Sequence, residues 1–340
     1  MPVSAPTLPD EDERVELSFD RAVVTGVAGF IGSTLAERLL EQGVQVRGID
    51  CLTSYYAPEV KRANLAALEG HEGFELVEAD LATDALEDHL DGVPVVFHQA
   101  AQPGVRSSWE TGFVASVTNN VTATQRLLEA ARRVGLERFV YASSSSVYGE
   151  ASEIPMHEDG PLRPFSPYGV TKLSAEQLCT VYASNFSVPT VSLRYFTVYG
   201  PRQRPDMAIH RMLQAVLTGA TFPVYGATGH VRDFTFVGDV VEANLRAAAA
   251  EVAPGTVVNV AGGATVSMAE LMATVEEVTG RSLATDDQGR KAGDVTHTEA
   301  DLTRIHELLG WQPTVPLNDG LVAQAEWHRQ YADLLVESPA

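Results

Sequence analysis

Cysteine is scarce in this chain, with Cys51 and Cys179 the two among 340 residues. That is too few for a disulfide framework, and it fits a reducing, cytoplasmic setting. Long apolar runs are missing too. Apolar residues make up 45% of the chain, yet no run approaches the about 18 continuous apolar residues that a membrane span needs. Positive charge is in short supply: 24 Lys and Arg face 45 Asp and Glu, for a formal net charge of −21. Such a balance argues against nucleic acid or an anionic membrane as the main partner. Nine histidines are scattered without a His-x-x-Glu-His or Cys/His cluster, so no metal site is expected. The N-terminus lacks the basic and apolar regions of a secretory signal. Pro2, Pro6, Pro9 and the run Asp10 to Glu13 instead make residues 1–18 a disordered acidic lead.

From Arg21 onward, apolar runs alternate with helical stretches. Ala22 to Thr25 is a short apolar strand, a glycine turn opens a helix over Ser33 to Gln42 with Leu35, Leu39 and Leu40 on one face, and Val44 to Ile49 is the next strand. Further strands are expected at Phe74 to Glu78, Val93 to Phe97, Phe139 to Ala142 and Val188 to Arg194, with helices between most of them. Strand and helix in turn imply a parallel sheet covered on both faces. The expected fold is therefore α/β, a doubly wound Rossmann sheet over residues 19–200. After Tyr199-Gly200-Pro201 the pattern changes to a helix at Ala208 to Thr218, a strand at Thr256 to Val260 and helices at Ser267 to Thr279 and Asp301 to Leu309. Residues 201–330 are expected to form mainly a smaller α+β substrate-binding domain, with the chain crossing back for a sheet strand near 235–260.

A strand, then Gly26-x-x-Gly29-x-x-Gly32, then a helix, then Asp50 closing the next strand is the layout of a dinucleotide-binding unit. Asp50 can accept from ribose hydroxyls and would repel a 2′-phosphate, which favours NAD over NADP. Asp80-Leu81 resembles the acid-apolar pair that contacts adenine in such folds. Downstream, Tyr168 and Lys172 stand four residues apart, so on a helix phenol and ammonium share a face and the cation can lower the phenol's pKa. That pairing points to hydride chemistry on an alcohol.

These segments, with His98-Gln99-Ala100-Ala101, the run Ser143 to Ser146 before Val147-Tyr148-Gly149, Arg194 to Pro201 and Arg232-Asp233-Phe234, resemble the extended short-chain dehydrogenase/reductases that modify nucleotide sugars. The likeness spans about Arg21 to Leu321, and Ala101 to Ser107 with Thr197 through Ala208 bring it nearest to the 4-epimerases of UDP-glucuronate. The resemblance implies a tightly held NAD contacted by Gly26, Gly29, Phe30, Ile31, Gly32, Asp50, Asp80, Leu81, Gln99, Ala100 and Ala101, together with Tyr168 and Lys172. It implies that Tyr168 takes the proton of the sugar 4-hydroxyl, that Lys172 supports it, and that one of Ser144, Ser145 or Ser146 holds the 4-oxygen.

Related sugar 4,6-dehydratases need an Asp-Glu pair before the Val-Tyr-Gly, and decarboxylases a glutamate directly before that valine; this chain has serines. Thr197 and Arg204 make a carboxylate site for a uronate. Arg232, Tyr225 and Asp294 match the family's phosphate, uracil and ribose positions, and Arg106 is a further anion contact. The expected reaction interconverts UDP-glucuronate and UDP-galacturonate, with UDP-glucose 4-epimerase or UDP-glucuronate decarboxylase as alternatives. A homodimer is expected through the helix carrying Tyr168, on which Leu173, Leu178, Val181 and Tyr182 form an apolar stripe that could equally be core.

Overall fold

The structure is a computed structural model that describes residues 15–150, 152–226, 228–289 and 293–332. Most of the expected acidic lead, residues 1–14, lies outside the described residues. Val15 and Leu17, at the lead's end, pack against the core.

Six strands run through the first half: β1 Arg21–Thr25, β2 Gln45–Asp50, β3 Phe74–Glu78, β4 Val95–His98, β5 Arg138–Ser144 and β6 Thr190–Tyr195. Then come β7 Thr197–Tyr199, β8 Phe222–Val224, β9 Val231–Phe236, β10 Thr256–Val260, β11 Thr265–Ser267 and β12 Thr285–Asp287. The main sheet has seven strands in the order β3-β2-β1-β4-β5-β6-β10, every pair parallel. Helices cover both faces, so central strands such as β4 are buried along their whole length. The order reverses between β1 and β4, and a crevice opens there at the strands' carboxyl ends.

The helix Phe30–Glu41 starts three residues earlier than its apolar periodicity suggests. Its first turn is part of the glycine segment itself, and Gly29 is the N-cap. Leu35 and Leu39 are fully buried, and truncating either to alanine would cost about 2–5 kcal/mol. β10 does return to the main sheet beside β6, as does the helix Val237–Ala249, which packs on the helix Phe30–Glu41. The smaller part holds the sheet β11-β9-β7 and the pair β12-β8. Because β7 pairs with β9, the change from one part to the other falls just before residue 197.

Candidate active site

The glycine turn is shaped by contact. Gly26 has φ +69°, and a Cβ there would stand 2.8 Å from the backbone of Ala100; one on Gly32 would meet the Gly26 carbonyl oxygen at 2.2 Å. The turn thus lies flat on the end of β4, with the N-terminus of Phe30–Glu41 facing the crevice. Asp50, at the end of β2, accepts from Ala28 N at 3.1 Å and from Leu52 N at 2.8 Å. The crevice is a cleft of about 1140 Å³, its open mouth included. All the residues expected to hold the dinucleotide line it, from Gly26, Gly29, Phe30, Ile31 and Gly32 through Asp50, Asp80 and Leu81 to Gln99, Ala100 and Ala101. Tyr168 and Lys172 line it as well. A backbone cradle that a side chain would fill, a helix N-terminus and a ribose-height carboxylate fit NAD.

Helix Pro167–Phe186 carries Tyr168 and Lys172. Ser166 caps it by accepting from Gly169 N at 3.1 Å, and Pro167 holds the first helical position. Tyr168 therefore sits in the first turn and Lys172 one turn on. The serines divide by role. Ser143 donates to Glu176 at 2.6 Å, and Glu176 forms a buried bidentate pair with Arg194 at 2.7 and 3.0 Å. Ser144 instead accepts from Ser146 N at 3.1 Å, and its hydroxyl helps to lower the pKa of the Tyr168 phenol. Ser145 and Ser146 form the single turn that follows β5.

Burial raises the pKa of the Tyr168 phenol, and the Arg204 guanidinium, then the Ser144 hydroxyl, pull it back down. The sequence assigns that lowering to Lys172. In the structure the Lys172 ammonium donates to the Ala142 carbonyl and stands 4.6 Å from the Tyr141 ring centroid, while burial lowers its own pKa to about 8. Its ammonium is thus bonded to β5, and Arg204 supplies charge that lowers the phenol's pKa.

Arg204 is gripped from one side. Its Nε and Nη2 each donate to Asp206 at 3.0 Å, and Arg204 lines the cleft. Tyr55 donates to Asp206 at 3.4 Å and meets the Ser107 hydroxyl at 3.1 Å, tying together the loops after β2, β4 and β7. Thr197 lies on β7 opposite Phe234, outside the cleft lining. A second group forms apart from the phenol: Arg106 pairs with Asp294 at 2.8 Å and lies 4.3 Å from the Tyr225 ring centroid. Arg232 is near enough to feel the attraction of Asp294 and the repulsion of Arg106, its guanidinium donating to the Val295 carbonyl at 2.6 Å.

Several site residues had no signal in the sequence. Asn120 sits in a widened helical turn, Val117–Thr122, accepts from Gln102 N at 2.7 Å and donates to Thr171 Oγ1 at 2.9 Å. Thr171 in turn donates to the Tyr168 carbonyl at 2.8 Å. Tyr55, Tyr56 and Lys61, all in the cleft wall, carried no motif either. His98 is structural: fully buried, its ring nitrogens meet Thr25 and Thr124 hydroxyls at 2.7 and 2.9 Å.

The family profile described as GDP-mannose 4,6 dehydratase matches residues 23–323. The chain is 41% identical to the uncharacterized UDP-glucose epimerase YtcB of Bacillus subtilis, over 88% of this chain and 95% of that one. It is 35% identical to a probable UDP-glucuronate 4-epimerase of Rhizobium meliloti, over 91% and 97%. Among solved structures, UDP-glucuronic acid 4-epimerase from Bacillus cereus in complex with UDP-glucuronic acid and NAD is 40% identical and superposes with a TM-score of 0.88, covering 91% of this chain and 99% of that one.

Proposed function

We propose, for a chain that belongs to the GDP-mannose 4,6-dehydratase family of extended short-chain dehydrogenase/reductases, the reaction of a UDP-glucuronate 4-epimerase. It inverts C4 of UDP-glucuronate to give UDP-galacturonate and runs back again. The observation that carries this reading is Tyr168 and Lys172, one helical turn apart, lining the dinucleotide cleft together with Arg204.

NAD, when bound, takes the hydride from C4 and gives it back. The remaining work belongs to the chain. Tyr168 accepts the proton of the 4-hydroxyl and returns it after the ring has turned, and Ser144 holds the 4-oxygen so that charge on it meets a donor throughout. Lys172, anchored on β5, sits beside the phenol's helix turn and faces the cleft. Arg204 offers its guanidinium to the uronate carboxylate; Thr197, expected beside it, lies outside the cleft lining and is left off that end.

That grip has a second task. The oxidised sugar is a β-keto acid, and it loses carbon dioxide when the C5–C6 bond aligns with the carbonyl π system. A carboxylate held near the ring plane is protected. The serines at positions 145 and 146 lack the acid/base power of the Asp-Glu pair that dehydration would need, which separates this chemistry from the activity that gives the family its name.

Arg106, Tyr225, Arg232 and Asp294 form the nucleotide end: a stacking face, a carboxylate for ribose and cations for the diphosphate. We infer a homodimer through the outer faces of the helical stretch 112–134 and the helix Pro167–Phe186, where Phe113, Val114, Val170 and Val181 are exposed. Tyr182 does not belong to that face, because it is buried and donates to Glu129 at 2.6 Å. Two free thiols support a cytoplasmic setting.

The test of function is incubation of pure protein with UDP-glucuronate, no NAD added, followed by product separation. UDP-galacturonate should form. A UDP-pentose as main product would point to decarboxylation, and conversion of UDP-glucose in preference would point to the neutral-sugar epimerase.

A further inference from the structure

Behind the loop that carries Arg204, and outside the cleft lining, lies a buried pair of amides. Gln203 is 1% exposed, and Gln324, on the helix Leu317–Gln330, is 0% exposed. The Gln203 amide is used at both ends: Nε2 donates to the Val198 carbonyl at 2.9 Å, and Oε1 accepts from His210 N at 2.9 Å and from Gln324 Nε2 at 2.8 Å. Gln324 Oε1 accepts in turn from Gly200 N at 2.9 Å. The Gln203 main chain joins in, its carbonyl accepting from the buried His210 ring at 2.7 Å.

Val198 and Gly200 stand where the loop leaves β7, and His210 N belongs to the first turn of the helix Ala208–Thr218, where backbone donors lack partners within the helix. Met207, the N-cap of that helix, provides no side-chain cap, so Gln203 provides one from inside the loop. Both ends of the loop are thus tied to one amide, which belongs to the residue before Arg204. Gln203 turns inward; Arg204 lines the cleft. We propose that Gln203, backed by Gln324, is a positioning residue for Arg204 and thereby a determinant of selectivity for a uronate over a neutral sugar. Buried amides left without partners are costly, so the loop is held to one placement, and misplacing a binding group by about 1 Å can cost about a hundredfold. This rests on the reading that Arg204 meets the uronate carboxylate.

The experiment measures kcat and KM for UDP-glucuronate and UDP-glucose in the parent, Gln203→Met, Gln324→Met, Arg204→Ala/Asp206→Ala, and that double variant with Gln203→Met added. Methionine keeps the length of the side chain and removes its hydrogen bonds. The quantity read is the ratio of the two kcat/KM values, in which any change at the phenol, common to both sugars, cancels. Gln203→Met should lower the ratio by roughly tenfold, mainly through a higher KM for UDP-glucuronate. Gln324→Met should lower it in the same direction, an arm that leaves Gln203 in place. Added to the double variant, Gln203→Met should leave the ratio within about twofold, because a residue that acts through another has no separate effect once the other is gone. The proposal is overturned if either methionine variant leaves the ratio unchanged, or if Gln203→Met lowers it further in the absence of Arg204. A parent that does not prefer UDP-glucuronate, or a ratio that Arg204→Ala/Asp206→Ala does not lower, would instead defeat the reading of the carboxylate site.

Discussion

Replacing Arg204 by alanine separates the uronate reading from the neutral-sugar reading, because the structure gives that guanidinium two tasks. The guanidinium lines the cleft, with Nε and Nη2 held by Asp206 at 3.0 Å each. A hydrogen bond to a charged group is worth about 1.5–3 kcal/mol, and about 1.4 kcal/mol is tenfold. Loss of the guanidinium should therefore lower kcat/KM for UDP-glucuronate by roughly ten- to a hundredfold. The substitution also leaves Asp206 unpaired beside the substrate carboxylate, which adds repulsion felt by the uronate and not by UDP-glucose. The second task is felt by both sugars. With the positive charge gone, the Tyr168 pKa rises, so the alkaline-going limb of the pH–rate profile should move to higher pH for either substrate. Activity lost through the base should return as pH is raised; activity lost through the carboxylate should not. The assay is kcat/KM for both UDP-sugars across roughly pH 6 to 10 in parent, Arg204→Ala and the Arg204→Ala/Asp206→Ala double variant, spanning the phenol's ordinary range, with mass analysis of products for escaped UDP-pentose. Equal impairment of both sugars at every pH, or a parent that prefers UDP-glucose, would refute the carboxylate site.

Tyr168→Phe should lower turnover by about 10²–10⁴-fold while the dinucleotide stays bound; near-parental rates would remove Tyr168 as the base. Glu176→Gln breaks the buried pair with Arg194 behind the serine strand, and leaving such a charge unpaired costs about 3–5 kcal/mol, so its thermal midpoint should drop by several degrees, an unchanged midpoint being the contrary result. Acid should destabilise the fold through three buried histidines. Burial holds His98 and His328 at about 3 and His210 at about 4 instead of 6.5, so their contribution is complete above pH 6.5 and is lost as pH falls toward 4. Asp233, raised to about 6, and the buried Glu158 and Asp239, also raised, work in the opposite sense, while each of the three histidines contributes about 1.4 kcal/mol per pH unit across that window. Thermal unfolding on either side of about pH 6.5 checks this, and assigned imidazole signals of His98, His210 and His328 that titrate near 6.5 would contradict it.

The cofactor half of the site was legible because its chemistry is local in sequence. Gly26, Gly29 and Gly32 belong to one turn, Asp50 to the end of the next strand, and strand periodicity placed β3 and β10 to the residue. The placement of Tyr168 and Lys172 on one cleft-facing helix was legible for the same reason, since a spacing of four fixes a helix face. What the sequence could not partition was the serine run. Ser143 and Ser144 are neighbours of one type, yet alternation along β5 turns the first toward Glu176 and the second toward Tyr168. Nor could it assign the charge at the phenol, because Lys172 reaches the Ala142 carbonyl while Arg204 arrives from far downstream in the chain. Tyr55, Lys61 and Asn120 went unseen because their roles depend on long-range approach: loops after β2, β4 and β7 meeting over one cleft, and a widened helical turn with no composition of its own.

An epimerase that works through a transient ketone must take hydride from C4 and return it to the same carbon within one turnover. UDP-glucuronate carrying deuterium at C4, incubated with the protein and followed by NMR, tests this directly. The expected product is UDP-galacturonate with deuterium retained at C4, formed more slowly than from the unlabelled sugar. Deuterium washed into solvent, or product formed with no break of the C4–H bond, would contradict that mechanism.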